Sequence, residues 1–528
     1  MMRSRFTAGE RPAVVCIAVL LVLRLWFVLR HGVDSDEPQH LHVIYGWLKG
    51  EIPYLDRFDN HTPLFAWFFM PLAGLLGETP DVVLWARIAE IPLSFGVLGL
   101  LYLLVSRLHG RTVALWTVAL TLALADWALK SVEFRPDVLW TVLFFLALLI
   151  LTKDGGAIGW RGYLLAGLVL GAAFAASIKT SFLVCGLGLG WATAWAVSPA
   201  MRAYFTPARI ASSAVAAVAG FLVVPACFIG WFAVKGALPA MTFALLEVNQ
   251  PEPAGWRMVW FFAGAPVAAI LGARFARAGW LPAAVFLSAA FYALLVAGFS
   301  PSLKKQTYLP AYPLLVMAGV AAWERQRPCG VALPAGLCVA LTAHQILEGA
   351  PWRDGMRDQR ELLQETLKLT APDDFLFDLK GETVFRRRPV HLAYVLATTR
   401  GIESGRLEDE DPQRLSETGT AVVVADGTGF SPPMRKFMKD HYLPVGAGRL
   451  RVAGRVLKPS WENGIWVERA NVAVAGEYVI LRNGVVEQEI RVTEPGMQRF
   501  DFGTERGQRL LFWKPAWDAG FRPLAAAE

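Results

Sequence analysis

The stretch PAVVCIAVLLVLRLWFVLRHGVDSDEPQHLH, residues 12–42, joins two unlike halves. Residues 12–31 make an apolar run long enough to cross a bilayer as helix, which takes about 20 residues. Three carboxylates, Asp34, Asp36 and Glu37, follow almost at once, ahead of His40 and His42. Arg3, Arg5 and Arg11 stand in front, and no small-x-small cleavage pattern comes after. The run therefore reads as a retained anchor and not as a secretion signal. A cluster of acids at the mouth of a membrane span costs free energy to hold there and points to chemistry at the membrane surface.

Comparable runs recur along the chain, about eleven in all. They fall near 12–31, 81–106, 112–128, 137–152, 162–178, 181–197, 210–234, 257–273, 279–299, 308–323 and 330–349. The composition agrees: 528 residues, 55% hydrophobic and 18% charged, with a mean hydropathy of +0.41. A disordered chain or a wholly soluble one does not look like this. The net charge of +7 does not signal nucleic acid, because Arg and Lys lie between apolar runs and form no basic face. The five cysteines, Cys16, Cys185, Cys227, Cys329 and Cys338, all sit in apolar stretches without a C-x-x-C pair. They read as small hydrophobes.

The connecting loops alternate. Arg107/Arg111, Lys153/Arg161, Arg202/Arg209, Arg274/Arg277 and Arg325/Arg327 mark short basic loops, and the positive-inside rule puts these and the N-terminus in the cytoplasm. Residues 32–80, 129–136, 235–256 and 300–307 then face outside, as does everything after residue 350. These outer loops carry Lys130, Glu133, Lys179, Lys235, Lys304 and Lys305. Lysines on the outer face run against the orientation bias and suit an anionic group held there, although ordinary solvated loop charge would look the same. The expected class is an all-α polytopic membrane bundle over 1–350, with an extracytoplasmic α/β region at 351–458 and a β-rich region at 459–528. In the tail, Asp374–Asp378 and Ala421–Asp426 read as short buried strands, and 433–442 as helix. Asn483-Gly484 between two alternating runs predicts a type I′ hairpin. No catalytic motif appears in the tail.

Candidate chemistry gathers in the outer loops. Residues 38–50 predict an interfacial helix with Pro38 in its first turn. Acids at a helix start are ordinary capping, but three in four positions exceed what a cap needs. One could act as general base toward an alcohol or amine, and Asp34 with Asp36 could hold a divalent cation. Asp59-Asn-His61-Thr62-Pro63-Leu64 offers a histidine to a phosphate. Glu133-Phe-Arg135-Pro136-Asp137 sets an acid and a guanidinium at the mouth of two spans, where they could equally pair with each other. Lys304-Lys305-Gln-Thr-Tyr308 suits a lipid-linked phosphate and equally an interfacial anchor. Inside the spans, Arg87 and Glu90 are three apart and can pair, while Arg24 either faces the bundle or snorkels.

Together these motifs resemble the GT-C superfamily. The carriers are the acidic loop after the first span, the Asp56…His61-x-Pro63-Leu64 stretch, Arg87, Arg135-Pro136-Asp137 and a late Lys-x-x-x-Tyr-x-x-Pro, all within roughly 12–350. More narrowly, the chain is similar to bacterial relatives of the dolichyl-phosphate-mannose protein mannosyltransferases and of the lipid A aminoarabinose transferases. The resemblance implies an inverting glycosyl transfer from a polyprenyl-phosphate sugar to an envelope lipid, glycan or protein, at the outer face of a bacterial inner membrane. It implies no required cofactor, and any divalent cation would sit at Asp34 and Asp36. It places Asp36, with Glu37 beside it, on the first-loop catalytic acid and Asp137 on the second. It gives the donor phosphate to His61, Arg135, Lys304, Lys305 and Tyr308, and leaves Asp34, Arg87 and Glu90 as supports. Thr62 departs from the family, where Pro is common, and the extra Asp34 leaves open which carboxylate is the base. A transporter or flippase of a lipid-linked substrate is the competing reading, though no internal repeat supports it. An envelope-binding scaffold is a third.

Overall fold

The computed structural model of the chain describes residues 7–249, 255–277, 279–300, 303–327, 330–425, 427 and 429–524. Arg3, Arg5, Cys329 and Asp426 lie outside the described residues. In chain order the helices are α1 (Arg11–Arg30), α2 (Asp36–Leu48), α3 (Leu64–Leu76), α4 (Val82–His109), α5 (Arg111–Ala123), α6 (Ala125–Lys130), α7 (Pro136–Leu151), α8 (Trp160–Ala176), α9 (Thr180–Val197), α10 (Pro199–Tyr204), α11 (Pro207–Val234), α12 (Leu238–Thr242), α13 (Met258–Ala276), α14 (Trp280–Phe299), α15 (Ala311–Gln326) and α16 (Ala332–Gly349). Each apolar run of the sequence falls in helix. Among the described residues six helices are long and apolar enough to cross a membrane. The run expected at 112–128 is broken, because Leu124 leaves the helical region (φ −71°, ψ 112°) between α5 and α6.

The chain divides into two units. The first takes in residues 1–37, 61–72 and 83–356. Its helices sort by burial. From Val113 to Ala123, α5 is buried all round, and it packs against α1, α15 and α16. By contrast α11 buries only Gly220 and Phe232, leaving Val215, Val218, Leu222 and Val223 exposed. An apolar helix exposed on most faces is one built to meet lipid. Close crossings rest on small residues. A methyl group at Gly171 of α8 would lie 2.1 Å from the Phe221 carbonyl oxygen of α11, and one at Gly190 of α9 would lie 2.4 Å from the Ser288 nitrogen of α14. Spaced four apart with Gly167 and Gly186, these glycines let backbones touch, as membrane helices commonly do.

The second unit takes in residues 38–60, 73–82 and 357–528. After α17 (Arg357–Leu369) come β1 (Leu376–Phe377), β2 (Val422–Val424), β3 (Tyr442–Pro444), β4 (Leu450–Leu457), β5 (Ser460–Glu462), β6 (Ile465–Val472), β7 (Gly476–Arg482), β8 (Val485–Val492), β9 (Gly496–Asp501) and β10 (Arg509–Trp513). One sheet runs β1-β2-β4-β10-β7-β8, with β3 also on β4, and β5-β6-β9 form a second. Within the larger sheet, β1 and β2 are parallel and the other pairs antiparallel. Helix covers Pro432–His441. The expected hairpin joins β7 and β8, with Asn483 at φ 50° and Gly484 at φ 79°.

Two expectations change here. The boundary at 458/459 separates nothing, because β4 pairs with β10 and one sheet spans both halves. Residues 38–48 of α2 are not an interfacial helix, for Leu41, Val43, Ile44 and Tyr45 are buried. Within this unit His42 Nδ1 donates to the Val384 carbonyl at 3.0 Å, and the Tyr45 ring meets Phe385 edge-on at 4.8 Å. Burial, reinforced by Arg57 and Arg388, holds the His42 imidazole well below its ordinary range.

Candidate active site

The three acids after α1 divide their work. Asp34 Oδ1 accepts from the Asp36 N–H at 3.0 Å, and the Glu37 side chain reaches back to the Asp34 N–H at 2.9 Å. This is a capping box, with Asp34 and Glu37 satisfying the open donors of α2. Glu37 is wholly buried. Its Oε2 also accepts from Arg87 Nε and from the Phe134 N–H, both at 2.7 Å, and its Oε1 meets Arg87 Nη2 at 2.5 Å. Arg87 further donates to the carbonyls of His31 and Gly32. Arg87 therefore pairs with Glu37 and not with Glu90, as helix spacing alone suggested. The buried Glu90 carboxylate lies by the Arg135 backbone N–H without a hydrogen bond of standard geometry.

Asp36 is also buried, with 12% of its side chain exposed against 23% for Asp34, and it faces the second loop. Arg135 sits across from it, and local sequence explains why. Pro136 opens α7 and disfavours helical backbone in the residue before it. Arg135 is accordingly extended, at φ −148° and ψ 154°. Its Nη1 lies 2.6 Å from Asp36 Oδ2 and 2.7 Å from Asp34 Oδ1, and its Nε lies 3.1 Å from Asp137 Oδ2. A divalent cation bridging Asp34 and Asp36 would have to displace this guanidinium.

Three lysines edge the row. Lys304 Nζ lies 3.6 Å from Asp36 Oδ2, Lys179 Nζ 3.0 Å from Asp137 Oδ1, and Lys130 Nζ 3.2 Å from Asp34 Oδ2 and 2.6 Å from Glu133 Oε1. Asp137 is 1% exposed and Lys304 is 47% exposed, so charge is buried at Asp137 and open at the Lys304 ammonium. The acids Asp34, Asp36, Glu133 and Asp137 are matched in number by Lys130, Arg135, Lys179 and Lys304. Against the opposing effect of burial, Arg135 and Lys130 hold the Asp34 carboxyl below its usual range. Burial, with Asp34 and Glu37 near, pushes Glu133 up, although a bond to His31 and Lys130 oppose this.

The late segment splits its two lysines. Lys305 turns from Asp36 and pairs with Asp126 Oδ1 and Glu348 Oε1, both at 2.7 Å. Those bonds raise its ammonium above the ordinary lysine value. Tyr308 is half-buried, its ring 6.0 Å from that of Tyr312. Tyr292 of α14 donates to the Thr307 carbonyl and pins the turn. His61, half-buried, leads into α3. Arg24 does not snorkel. It is buried, donating to Ser131 Oγ at 2.8 Å and to the Ser131 carbonyl at 2.6 Å, with Trp127 5.3 Å from its guanidinium. It fixes the loop that presents Arg135. Sequence reading left Lys130 and Lys179 out of the site, although both belong to the unusual set of outer lysines that pointed there.

No protein-family model and no curated protein matches the sequence. Solved structures do. The crystal structure of ArnT from Cupriavidus metallidurans bound to undecaprenyl phosphate superposes with a TM-score of 0.54 at 15% identity, covering 83% of this chain and 97% of that one. The chain has the GT-C fold. The apo form of the same ArnT gives 0.54 at 17% identity, covering 85% and 98%. An oligosaccharyltransferase from Archaeoglobus fulgidus aligns with a TM-score of 0.43 at 12% identity, over 84% of this chain and 73% of that one. With this fold the described site lies at the start of α2, α7 and α9 and in the turn before α15.

Proposed function

We propose that this chain is an integral membrane glycosyltransferase that moves a sugar from a polyprenyl-phosphate donor to an envelope lipid, glycan or protein, with inversion, at the outer face of an inner membrane. The observation that carries this reading is the approach of Lys304 to Asp36, 3.6 Å apart though 268 positions separate them, with Arg135 on the same carboxylate oxygen. A general base and a phosphate-binding cation are thereby set side by side. The GT-C fold and the undecaprenyl phosphate bound by ArnT support the donor class.

In this mechanism the donor phosphate draws on Lys304, Lys179 and Arg135, and His61 and Tyr308 complete its surroundings. That anion competes with Asp36 for the same cations and so frees the carboxylate as the donor is seated. Asp36 takes the proton of an acceptor hydroxyl or amine while that atom attacks the anomeric carbon. The bond from that carbon to the phosphate oxygen breaks, and its electron pair leaves with the lipid phosphate. Preorganised cations facing the developing charge supply roughly 3 kcal/mol per good donor. Lys305 acts by holding the turn, and Asp137 by orienting Arg135 and Lys179.

The test is purified protein in lipid with a labelled polyprenyl-phosphate sugar. Asp36→Asn is expected to slow transfer about 10²–10⁴-fold, the usual contribution of general base catalysis. Equal rates would remove the base assignment. Donor crossing the bilayer with its sugar still attached would favour transport instead.

A further inference from the structure

A cavity of about 660 Å³ opens between α8, α9 and α11, within the range of small-molecule sites, about 300–1,000 Å³. Val184 to Trp195 line it along α9, roughly 8–24 Å from Lys179 at 1.5 Å per residue, and no residue of the acid and lysine row is in its wall. It is therefore separate from the site above. Leu170, Leu187, Ala217 and Phe221 make most of its wall apolar. A few polar groups interrupt that wall. The Tyr163 hydroxyl lies beside Ser213, and neither it nor the Trp191 indole N–H, both buried atoms, makes a hydrogen bond of standard geometry.

The rim of the cavity is cationic. Met201 of α10, with Phe205 after it, closes that end, and both α8 and α11 begin there. Helix starts carry partial positive charge. Arg161, Arg202 and Arg209 are exposed on these same elements. Arg209 stacks 4.4 Å over Tyr204 and donates to its carbonyl at 3.2 Å, and Arg202 caps the carbonyls of Trp195 and Ala196 at the end of α9. None of the three has an acidic partner among the described residues.

The geometry points to a resident anionic phospholipid, with an acyl chain in the cavity and its phosphate against Arg202 and Arg209. Charge complementarity selects this occupant. The tail of a polyprenyl phosphate would carry its phosphate toward Lys304, at the far end of α9, and would leave this rim without an anion. The proposal does not depend on sugar transfer.

The test uses the full chain reconstituted in vesicles of phosphatidylglycerol and phosphatidylcholine in equal parts, with added polyprenyl phosphate. The protein is re-extracted in detergent and its retained lipid identified by mass spectrometry. Several-fold enrichment of phosphatidylglycerol is expected, falling to the vesicle ratio in Leu170→Trp, which fills the cavity. Arg202→Gln with Arg209→Gln keeps the cavity and is expected to lose the same enrichment, so the test stands even if the tryptophan variant does not fold. Retention at the vesicle ratio by the parent, unchanged enrichment in the charge variant, or polyprenyl phosphate in place of phosphatidylglycerol would each overturn the proposal.

Discussion

Adjacent residues of one type have different fates in this protein. Asp36 and Glu37 differ by one methylene, yet Glu37 is wholly buried on Arg87 while Asp36 meets Arg135 and Lys304. Removing one partner of a buried ion pair strands the other charge. Glu37→Gln is therefore expected to lower stability by about 3 kcal/mol, read as thermal unfolding in detergent, whereas Asp36→Asn leaves Arg135 its pairs with Asp34 and Asp137 and should cost less. The acid cluster was legible in the sequence, but the division within it was not. It depends on Arg87, fifty positions later, arriving under one face of the start of α2. Lys304 and Lys305 divide in the same way, and here too the deciding partners, Asp126 and Glu348, are remote in sequence. In the second unit burial and the nearby Asp378 push Glu382 up to about 7. A carboxyl raised in the folded state holds a proton that the unfolded chain has released. Stability is then full below about pH 4.5 and is lost as pH rises toward 7, by up to roughly 3 kcal/mol. Unfolding measured against pH should show this slope, and Glu382→Gln should flatten it.

At the level of the element, two signals carried the reading. Apolar length located the helices, and Pro136 fixed the turn into α7 that extends Arg135. The break at Leu124 had no comparable signal, because an apolar residue leaving helix looks like any other in a hydrophobic run. Close helix crossings were also hidden, since glycine reads first as a helix breaker. In α8 it is a contact surface instead. Gly171→Leu would drive a side chain into the Phe221 carbonyl and is expected to cost about 1–3 kcal/mol, seen as a lower unfolding temperature. Gly188, with nothing within 4 Å of an added methyl, is the matched control and should tolerate alanine.

Across the whole molecule, the change of composition after residue 350 was visible and the true grouping was not. Segments 38–60 and 73–82 belong with 357–528. Arg386 pairs with Glu78 at 2.8 Å, Arg360 with Asp81 at 2.6 Å, and Lys49 donates to the Phe385 carbonyl at 3.1 Å. These are long-range pairings between charged or buried groups, and no periodicity announces them. A fragment of 351–528 alone would leave Arg386, itself buried, without its carboxylate. It is expected to show weak near-ultraviolet circular dichroism and a broad unfolding transition, where the full chain unfolds cooperatively. The stitch between Arg24 and Ser131 reaches over 107 positions and bears on biogenesis. When the first helix leaves the ribosome, the residues that will receive its guanidinium have not been translated. An arginine at the middle of a lone helix costs about 2.5–3.5 kcal/mol on insertion. The nascent chain must carry that burden through the synthesis of α2 to α5, and the arrival of Trp127, Ala128 and Ser131 relieves it, so the same contacts that satisfy the anchor's guanidinium draw the loop of the second acid into place.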